Sequence, residues 1–318
     1  MNTKLSGIII IDKPAGWTSH DVIAKLRGAL KTKRIGHGGT LDPMATGVLP
    51  VFVGRATRAA EFCENSEKEY IAGLQLGITT DTQDITGNVL AEKEVSVTLA
   101  DVEAILPQFK GALKQIPPMY SAVKKDGRKL YELARKGIDI PREPRDIFIS
   151  ELELLSGVPE KWSGGREFLG SYATQRGCDQ LFTLRIVCSK GTYIRTLCHD
   201  IGTTLGCGGT LSDLRRIKAG VFTIDTAHAL DDVLAMHLSD SVNDFLLPVD
   251  HIFSGFPSVW INETEVRKAK NGALCYAPES IDDGTYRVYS NDGEFLLLGK
   301  SENNIIKTIK SFFEVGNQ

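Results

Sequence analysis

The segment GHGGTLDPMATGVLPVFVG, residues 36–54, joins a glycine-bordered loop to an apolar strand and contains a single acidic residue, Asp42. Small neighbours leave space around a side chain and let the backbone approach a ligand closely. Pro43 restricts the backbone directly after the acid. Asp42 is therefore a candidate nucleophile or base. An Asp-Pro pair is also typical of a turn in which the carboxylate accepts backbone hydrogen bonds, and the loop alone favours that interpretation.

Charge is distributed unevenly along the 318-residue chain, although the formal net charge is only −3. Between Lys25 and Arg58, seven basic residues accompany Asp42 alone. Residues 118–145 contain eight basic and four acidic residues, whereas residues 231–283 contain ten acids and three bases. This asymmetry predicts a basic face that binds a polyanion such as a nucleic acid. Solvent-exposed faces without any binding role would show similar runs of charge. The charge pattern therefore indicates nucleic-acid binding only if candidate catalytic or binding residues support it.

The composition is typical of a globular protein, because 42% of the residues are hydrophobic and can form a sizeable core. No apolar run approaches the roughly 18 residues of a membrane span, and no secretory signal is recognisable. We therefore expect a cytoplasmic protein without a membrane partner. The six cysteines form no CxxC pair, which favours reduced, mostly buried thiols and no metal site. Walker and Rossmann loops are also absent, so no cofactor is predicted.

Local patterns predict an α+β fold in which strands dominate. Thr98 and Asp101 are spaced as the cap of a helix, and we expect Ser19 to cap an earlier one. Short apolar runs rich in β-branched residues predict buried strands; they are SGIIIID at 6–12, VLPVFVG at 48–54, IFISELELL at 147–155 and LFTLRIVCS at 181–189.

Three further segments define the expected organisation. Residues 118–146 begin and end with prolines, are basic, and have too few large apolar side chains for a core of their own. We expect this segment to be an arm that projects from the body and orders on a partner. Ser156–Gln180 is glycine-rich and is expected to be a surface excursion. After about residue 250, short strands with tight turns predict a small β-rich domain, so the expected domains are 1–250 and 251–318.

A second candidate site lies in CSKGTYIRTL, residues 188–197. A strand ends at Cys188, a loop of small residues follows, and Tyr193 and Arg195 begin a helix. An aromatic ring and a guanidinium near a helix N-terminus suit an anionic or planar ligand. A core tyrosine and a surface arginine are the alternative, and this segment alone favours them. Tyr70, at the start of its strand, would by itself be interpreted as a packing residue.

Six segments of the chain, in this order, closely resemble the motifs of the TruB family of tRNA pseudouridine-55 synthases, and the resemblance extends from Gly7 to Val249. It implies a mixed, largely antiparallel central sheet flanked by helices, with a thumb-like RNA-binding arm and a small C-terminal domain of PUA-like type. The segments are IIIIDKPAGWTSHDV, GHGGTLDPMATGVLPVFVG, EKEYIAGLQLGITTDTQDITG, IPPMYSAVKKDGRKLYELARKG, CSKGTYIRTLCHDIG and LSDLRRIKAGVF.

The resemblance implies that the substrate is one uridine in the T-arm loop of tRNA, at position 55. The N1–C1′ bond breaks, the uracil turns, and C5 rejoins C1′, with no cofactor. Asp42 corresponds to the catalytic aspartate, and attack at C1′, attack at C6 and a glycal route all remain open. Arg195 corresponds to the arginine that pairs with this carboxylate. Tyr70 corresponds to the tyrosine that stacks on the base and takes or relays the C5 proton.

The remaining expected site residues bind the substrate. By resemblance, Tyr193 and Leu214 complete the uracil pocket, and His37 fills the space left by the flipped base. Lys13 and Lys68 complete the set, with Lys13 expected to support the catalytic loop. The expected partner is tRNA, and no protein partner is required of what we expect to be a monomer. The alternatives are a tRNA-binding folding chaperone and a guide-RNA-dependent pseudouridine synthase acting on rRNA.

Overall fold

The computed structural model describes residues 5–157, 162, 180–236 and 241–313. The predicted excursion Ser156–Gln180 lies almost entirely outside the described residues. Throughout the described ranges, strands outnumber helices and the two are interspersed, as expected for an α+β fold.

The strands and helices are numbered in chain order. The strands are β1 (Gly7–Lys13), β2 (Ile35–His37), β3 (Thr46–Val53), β4 (Lys68–Leu76), β5 (Ile78–Thr80), β6 (Val89–Glu92), β7 (Gly111–Gln115), β8 (Lys124–Lys125), β9 (Arg128–Lys129), β10 (Arg145–Leu155), β11 (Leu181–Cys188), β12 (Gly209–Ala219), β13 (Phe222–Thr223), β14 (His228–Ala229), β15 (Ser258–Ile261), β16 (Cys275–Tyr276), β17 (Gly284–Ser290), β18 (Phe295–Glu302) and β19 (Ile305–Ser311). The helices are α1 (Ser19–Ala29), α2 (Ala60–Glu64), α3 (Leu99–Ile105), α4 (Leu130–Ala134), α5 (Ile194–Thr204), α6 (Leu230–Met236) and α7 (Glu263–Lys270).

A ten-stranded sheet forms the centre of the molecule. Eight strands follow the order β14-β1-β3-β12-β4-β11-β10-β7, with β2 and β13 paired to β3 and β12. In this sheet, as far as the structure describes it, the β1–β14 and β3–β12 pairs are parallel and the other pairs are antiparallel. The predicted mixed, largely antiparallel sheet is therefore confirmed. Strand β12 lies between β3 and β4, so it connects the strand after the Asp42 loop with the strand that carries Tyr70.

Local sequence signals explain the ends of two helices. Thr98 caps α3 and exchanges hydrogen bonds with Asp101, as the spacing predicts. The prediction that Ser19 caps α1 is wrong. Thr18 caps this helix and exchanges hydrogen bonds with Asp21. Ser19 is instead buried, and its hydroxyl accepts a hydrogen bond from the Leu41 amide at 2.9 Å. This serine therefore fastens α1 to the loop that carries Asp42.

Helix α5 lies directly on strand β12, which positions the N-terminal end of the helix at the site. The two backbones approach so closely that a Cβ atom on Gly202 would lie 2.2 Å from the Gly209 amide nitrogen. A side chain at Gly202 would thus separate helix from sheet. Ile194, Leu197 and Ile201 of this helix belong to the main core of the protein.

The C-terminal strands form a separate five-stranded sheet in the order β15-β17-β18-β19-β16. The sequence Asn-Asp-Gly at 291–293 lies in the tight turn between β17 and β18, with Gly293 at a φ of +90°. This sheet packs against the central one, because Phe253 and Phe312 belong to the same buried cluster as Ile8 and Phe52. The small β-rich unit is therefore held to the body by aromatic packing.

The basic arm differs from its prediction in one respect. Met119, Leu130 and Leu133 are buried together, with Val123 and Ile140 packed against them. The expectation that the arm has no core of its own is wrong, because α4 places two leucines on one face above the β8–β9 pair. The arm thus holds together as a small folded unit.

The five cysteines within the described ranges are free and buried, which agrees with the expected reduced thiols. No helix in the described ranges is long and apolar enough to cross a membrane.

Candidate active site

An open cleft of about 1620 Å³ lies where the Asp42 loop, β4, β12, α5 and the arm meet. Six of the residues that the sequence analysis selects contribute to its wall: Asp42, Lys68, Tyr70, Tyr193, Arg195 and Leu214. Residues from distant parts of the chain therefore converge on one concave surface, as is typical of ligand sites.

The Asp42 loop is held on both sides by backbone contacts. The Ala45 amide donates to the Asp42 carbonyl at 3.1 Å, and the Gly16 amide donates to the Pro43 carbonyl at 2.8 Å. Lys13 is completely buried, and its Nζ atom lies 3.3 Å from the Pro43 carbonyl oxygen. These contacts fix the backbone while the Asp42 side chain remains 37% exposed to the cleft.

Asp42 forms an ion pair with Arg195. The Asp42 Oδ2 atom lies 2.9 Å from Arg195 Nε, and the arginine side chain is only 5% exposed. Arg195 also donates from Nη1 to the Thr82 carbonyl at 3.0 Å and from Nη2 to the Tyr120 carbonyl at 2.8 Å. A guanidinium with several fixed partners orients the carboxylate that it contacts.

A second carboxylate, which the sequence analysis did not select, lies behind this pair. Asp84 Oδ2 is 3.6 Å from Arg195 Nη1, and the Asp84 side chain is 7% exposed. Its Oδ1 atom accepts hydrogen bonds from the backbone amide and hydroxyl of Thr86, at 3.0 and 2.6 Å. Asp84 lies in the polar segment TTDTQDITG, where it resembled an ordinary turn residue.

Tyr70 lies opposite Arg216 in the pairing of β4 with β12. Burial raises the pKa of the Tyr70 hydroxyl above its usual range, and the neighbouring Arg216 opposes that shift. Arg216 is 1% exposed and donates to the carbonyls of Gly39 and Val48, at 3.1 and 2.7 Å. It is a second residue that the sequence analysis did not select, although two adjacent arginines in an apolar strand are an unusual signal.

Tyr193 begins helix α5 and is held by Gln115 at the end of β7. The Tyr193 amide donates to Gln115 Oε1 at 2.8 Å, and Gln115 Nε2 donates to the Tyr193 carbonyl at 3.0 Å. Leu214, 5% exposed, adds an apolar surface to the same cleft. Tyr193 and Leu214 therefore add an aromatic and an apolar side chain to the cleft that Asp42 also borders.

The model of the TruB family pseudouridylate synthase N-terminal domain matches residues 27–194, and the tRNA pseudouridylate synthase B C-terminal domain matches residues 195–254. This chain belongs to the TruB family of pseudouridylate synthases.

Curated relatives are similar over nearly the whole chain. A tRNA pseudouridine synthase B of Pseudomonas fluorescens is 42% identical over 93% of this chain and 92% of its own length. Another protein of that name, from Clostridium kluyveri, is 39% identical over 97% of this chain and 100% of its own length.

Among solved structures, a Cbf5-Nop10-Gar1 complex aligns with a TM-score of 0.69 and 26% identity over 96% of this chain and 85% of that chain. A second, of an H/ACA RNP bound to a substrate RNA containing 2'-deoxyuridine, shares the fold with a TM-score of 0.68 and 24% identity, over 97% and 85% of the respective chains.

His37 lies at the edge of the TruB-type site. It ends β2, and its half-buried ring contacts the exposed His20 edge to face, with 5.8 Å between the ring centroids. Burial lowers the pKa of His37 to about 4, so the imidazole is neutral near pH 7. Within the described residues, His20 lines the cleft directly, whereas His37 supports it from behind.

The two lysines of the expected substrate-binding set both bind backbone carbonyls. Lys13 donates to the carbonyls of Pro14 and Trp17, at 2.8 and 2.6 Å, in addition to its contact with the Asp42 loop. Lys68 donates to three carbonyls at the end of α2, and burial lowers its pKa to about 8. Lys68 also borders the cleft, so its ammonium group adds positive charge there.

The arm contributes a cationic wall on the other side of the cleft. Lys129 and Arg135 lie over the ring of Tyr131, at 5.4 and 5.3 Å from its centroid. All three border the cleft, as does Lys190. Such a surface suits a phosphate backbone next to aromatic bases. No group of three potential metal ligands occurs among the residues that the structure describes.

Proposed function

We propose that this protein isomerises the uridine at position 55 in the T loop of tRNA to pseudouridine. The observation that carries the proposal is the contact of Asp42 with the buried Arg195, at 2.9 Å, on a cleft that Tyr70 also borders. The names of the relatives, tRNA pseudouridine synthase B, support tRNA as the substrate.

Asp42 acts as the nucleophile or base that starts cleavage of the N1–C1′ bond. Arg195 holds the carboxylate in one orientation, so the reacting oxygen faces the substrate. The uracil leaves, turns within the cleft, and forms the C5–C1′ bond. The C5 proton is then removed, and the Tyr70 hydroxyl relays it while the ring stacks on the base. Reactant and product have the same atoms, so the reaction consumes no second substrate.

The target uridine must leave the folded T loop to reach Asp42, at a cost of about a few kcal/mol. His37, whose ring contacts that of His20 at the cleft, fills the vacated position, while Tyr193 and Leu214 enclose the uracil. Lys13 holds the Asp42 loop, and Lys68 adds charge beside it. The arm residues Lys129 and Arg135, with the exposed cations between Lys25 and Arg58, bind the phosphates of the T arm.

The test is tritium release from a transcribed T-arm stem-loop that contains 5-tritiated uridine. The wild-type protein should release tritium, and Asp42→Ala should release none above background while binding the stem-loop. Asp42→Asn, which keeps the size of the side chain, serves as the matched variant and should also be inactive. Wild-type turnover in Asp42→Ala would refute the catalytic assignment.

The alternatives predict different outcomes in the same assay. A tRNA folding chaperone would refold misfolded tRNA equally well with Asp42→Ala, because the carboxylate has no part in binding. A guide-RNA-dependent synthase would be inactive until a guide RNA is added. This alternative is worth testing because the fold is similar to that of a protein in an H/ACA RNP structure. Turnover of the bare stem-loop by the protein alone favours the proposed function, together with the roughly 40% identity to tRNA pseudouridine synthase B proteins.

We further propose that the chain works as a monomer in the cytoplasm without a protein partner. Residues 1–250 would form the catalytic domain, with its arm at about 118–146, and residues 251–318 a PUA-like domain that binds RNA. The separate five-stranded sheet supports that division. Sedimentation of the protein with and without a stem-loop tests the stoichiometry, and a protein truncated after residue 250 tests the contribution of the second domain to binding.

A further inference from the structure

We propose that Arg216 is a positioning residue that holds the Tyr70 hydroxyl and the Asp42 loop in a fixed relation to each other. This role rests on the proposed function. Arg216 lies in β12, directly opposite Tyr70 of β4 and, on its other side, Gly47 of β3. Arg216 therefore lies between the strand that carries Tyr70 and the strand that follows the Asp42 loop.

The guanidinium makes contacts on both sides of Asp42 in the chain. Nε donates to the Val48 carbonyl at 2.7 Å, after the acid. Nη2 donates to the Gly39 carbonyl at 3.1 Å, and Nη1 lies 3.4 Å from the Thr40 carbonyl, before the acid. A fork of five N–H donors can bind several acceptors at fixed angles, which a lysine ammonium on a flexible stem cannot reproduce.

Arg216 is also the residue directly opposite Tyr70 in the β4–β12 pairing, and the charge of its guanidinium lowers the pKa of this tyrosine against the effect of burial. The arginine is 1% exposed and Tyr70 is 9% exposed, so water does not compete for these contacts. Displacing the guanidinium would therefore move the hydroxyl and the loop together.

The backbone around Arg216 is built for this contact. Gly47 has a φ of +99°, and a Cβ atom there would lie 2.1 Å from the Arg216 carbonyl oxygen. Only glycine lets β3 pass this close to β12. The close approach brings the Asp42 loop within reach of the Arg216 side chain. The contacts of Arg216 with the loop therefore depend on a glycine at position 47.

Arg215, the preceding residue, provides a matched control. It is 3% exposed and lies in the same strand, but its two Nη atoms bind the carboxylate of Asp12, at 3.0 and 2.7 Å. It borders a different, small cavity beside α6. Replacing either arginine by lysine removes a buried guanidinium, so both variants lose stability for the same reason.

The first experiment compares Arg216→Lys with Arg215→Lys in single-turnover tritium release and in stem-loop binding. Arg216→Lys should bind the stem-loop like the wild type and react about 100-fold more slowly, because displaced reacting groups cost rate rather than affinity. Arg215→Lys should keep the wild-type rate per folded molecule. Equal rates in the two variants would overturn the proposal, whereas absence of turnover in the wild type would instead refute the proposed function.

A second experiment tests the coupling between Tyr70 and the Asp42 loop without the lysine variants, which could fold poorly. Tyr70→Phe keeps the ring and removes the hydroxyl beside Arg216, so under the proposed coupling the guanidinium and the Asp42 loop that it holds become more mobile. Amide hydrogen exchange should accelerate at Gly38 and Ala45, whose amides close that loop. Unchanged exchange at both amides in Tyr70→Phe would overturn the coupling between hydroxyl and loop.

Discussion

The carboxylate of Asp84 lies 3.6 Å from Arg195, on a guanidinium whose Nε atom contacts Asp42 at 2.9 Å. The arginine is thus held between one buried carboxylate and one that faces the cleft. Because Asp84 also accepts hydrogen bonds from Thr86, its own position is fixed. The orientation of Asp42 therefore depends on a second carboxylate, which contacts the same arginine.

Asp84→Asn should slow the chemical step while leaving stem-loop binding unchanged. The amide keeps the shape of the side chain but loses the charge that holds Arg195, so Asp42 becomes less well oriented. Misplacement of this kind costs up to about 100-fold in rate. Single-turnover tritium release and filter binding measure the two quantities. Asp81→Asn, in the same loop, is the control, since Asp81 binds Asn88 rather than Arg195; weaker binding at an unchanged rate would contradict the prediction.

His37 should make the protein less stable as the pH falls. Its pKa is about 4 in the folded protein, against an ordinary value of 6.5, because of burial. Between pH 6.5 and 4 the unfolded chain therefore binds a proton that the folded protein does not, and the free energy of unfolding decreases as the pH is lowered.

The effect of His37 amounts to about 2 kcal/mol between pH 7 and 5. Urea unfolding at both pH values measures it, and His37→Asn should remove this part of the pH dependence. His251→Asn, at an exposed position, serves as the control. An identical pH dependence in His37→Asn and wild type would show that His37 titrates normally.

Two exposed cations of the arm should contribute to tRNA binding through charge alone. Lys124 and Arg128 lie on the paired strands β8 and β9, away from the buried cluster of the arm. Replacing both by alanine should weaken stem-loop binding and make its dependence on salt shallower by about one to two in slope. The control removes Lys93 and Lys110, which are exposed elsewhere. Equal losses in the two double variants would contradict a specific role of the arm.

Phe312→Ala should destabilise the central sheet as well as the C-terminal sheet, by about 3–5 kcal/mol in total. Phe312 packs in one cluster with Ile8 and Phe52 of the central sheet, whereas the adjacent Phe313 packs only within the C-terminal sheet. Thermal unfolding followed by Trp17 fluorescence, in a background where the other two tryptophans are phenylalanine, reports on the first sheet. A lower midpoint should occur in Phe312→Ala but not in Phe313→Ala.

Much of the fold was predictable from local patterns. The isoleucine run of β1 and the Thr98–Asp101 cap of α3 became the predicted elements, because burial of β-branched side chains and capping depend on near neighbours in the chain. The cap at Ser19 and the absence of a core in the arm were predicted wrongly. Ser19 contacts Leu41, which is distant in sequence, instead of capping its helix. The apolar side chains of the arm form a cluster because helix α4 brings Leu130 and Leu133 together.

The residues of the candidate site also divide into those that the sequence indicates and those that only the structure identifies. The order of the motifs indicated the family and directed attention to Asp42, Tyr70 and Arg195, which by themselves favoured ordinary structural roles. Asp84 and Arg216 were not found. An aspartate in a turn has no local mark of function, and the adjacent arginines of β12, although unusual in an apolar strand, do not indicate which groups they contact. Their importance lies in the groups that they contact.

The sequence by itself determined the kinds of element, the glycine-bordered Asp42 loop and the basic character of the arm, since these follow from side-chain chemistry and spacing along the chain. Only the tertiary structure decided which charges are buried and paired. Strand order places β12 between β3 and β4 and brings α5 against β12, so the buried Arg195 and Arg216 lie beside the loop that carries Asp42. Charges in such surroundings must have fixed partners, and those partners come from remote segments that folding alone brings together.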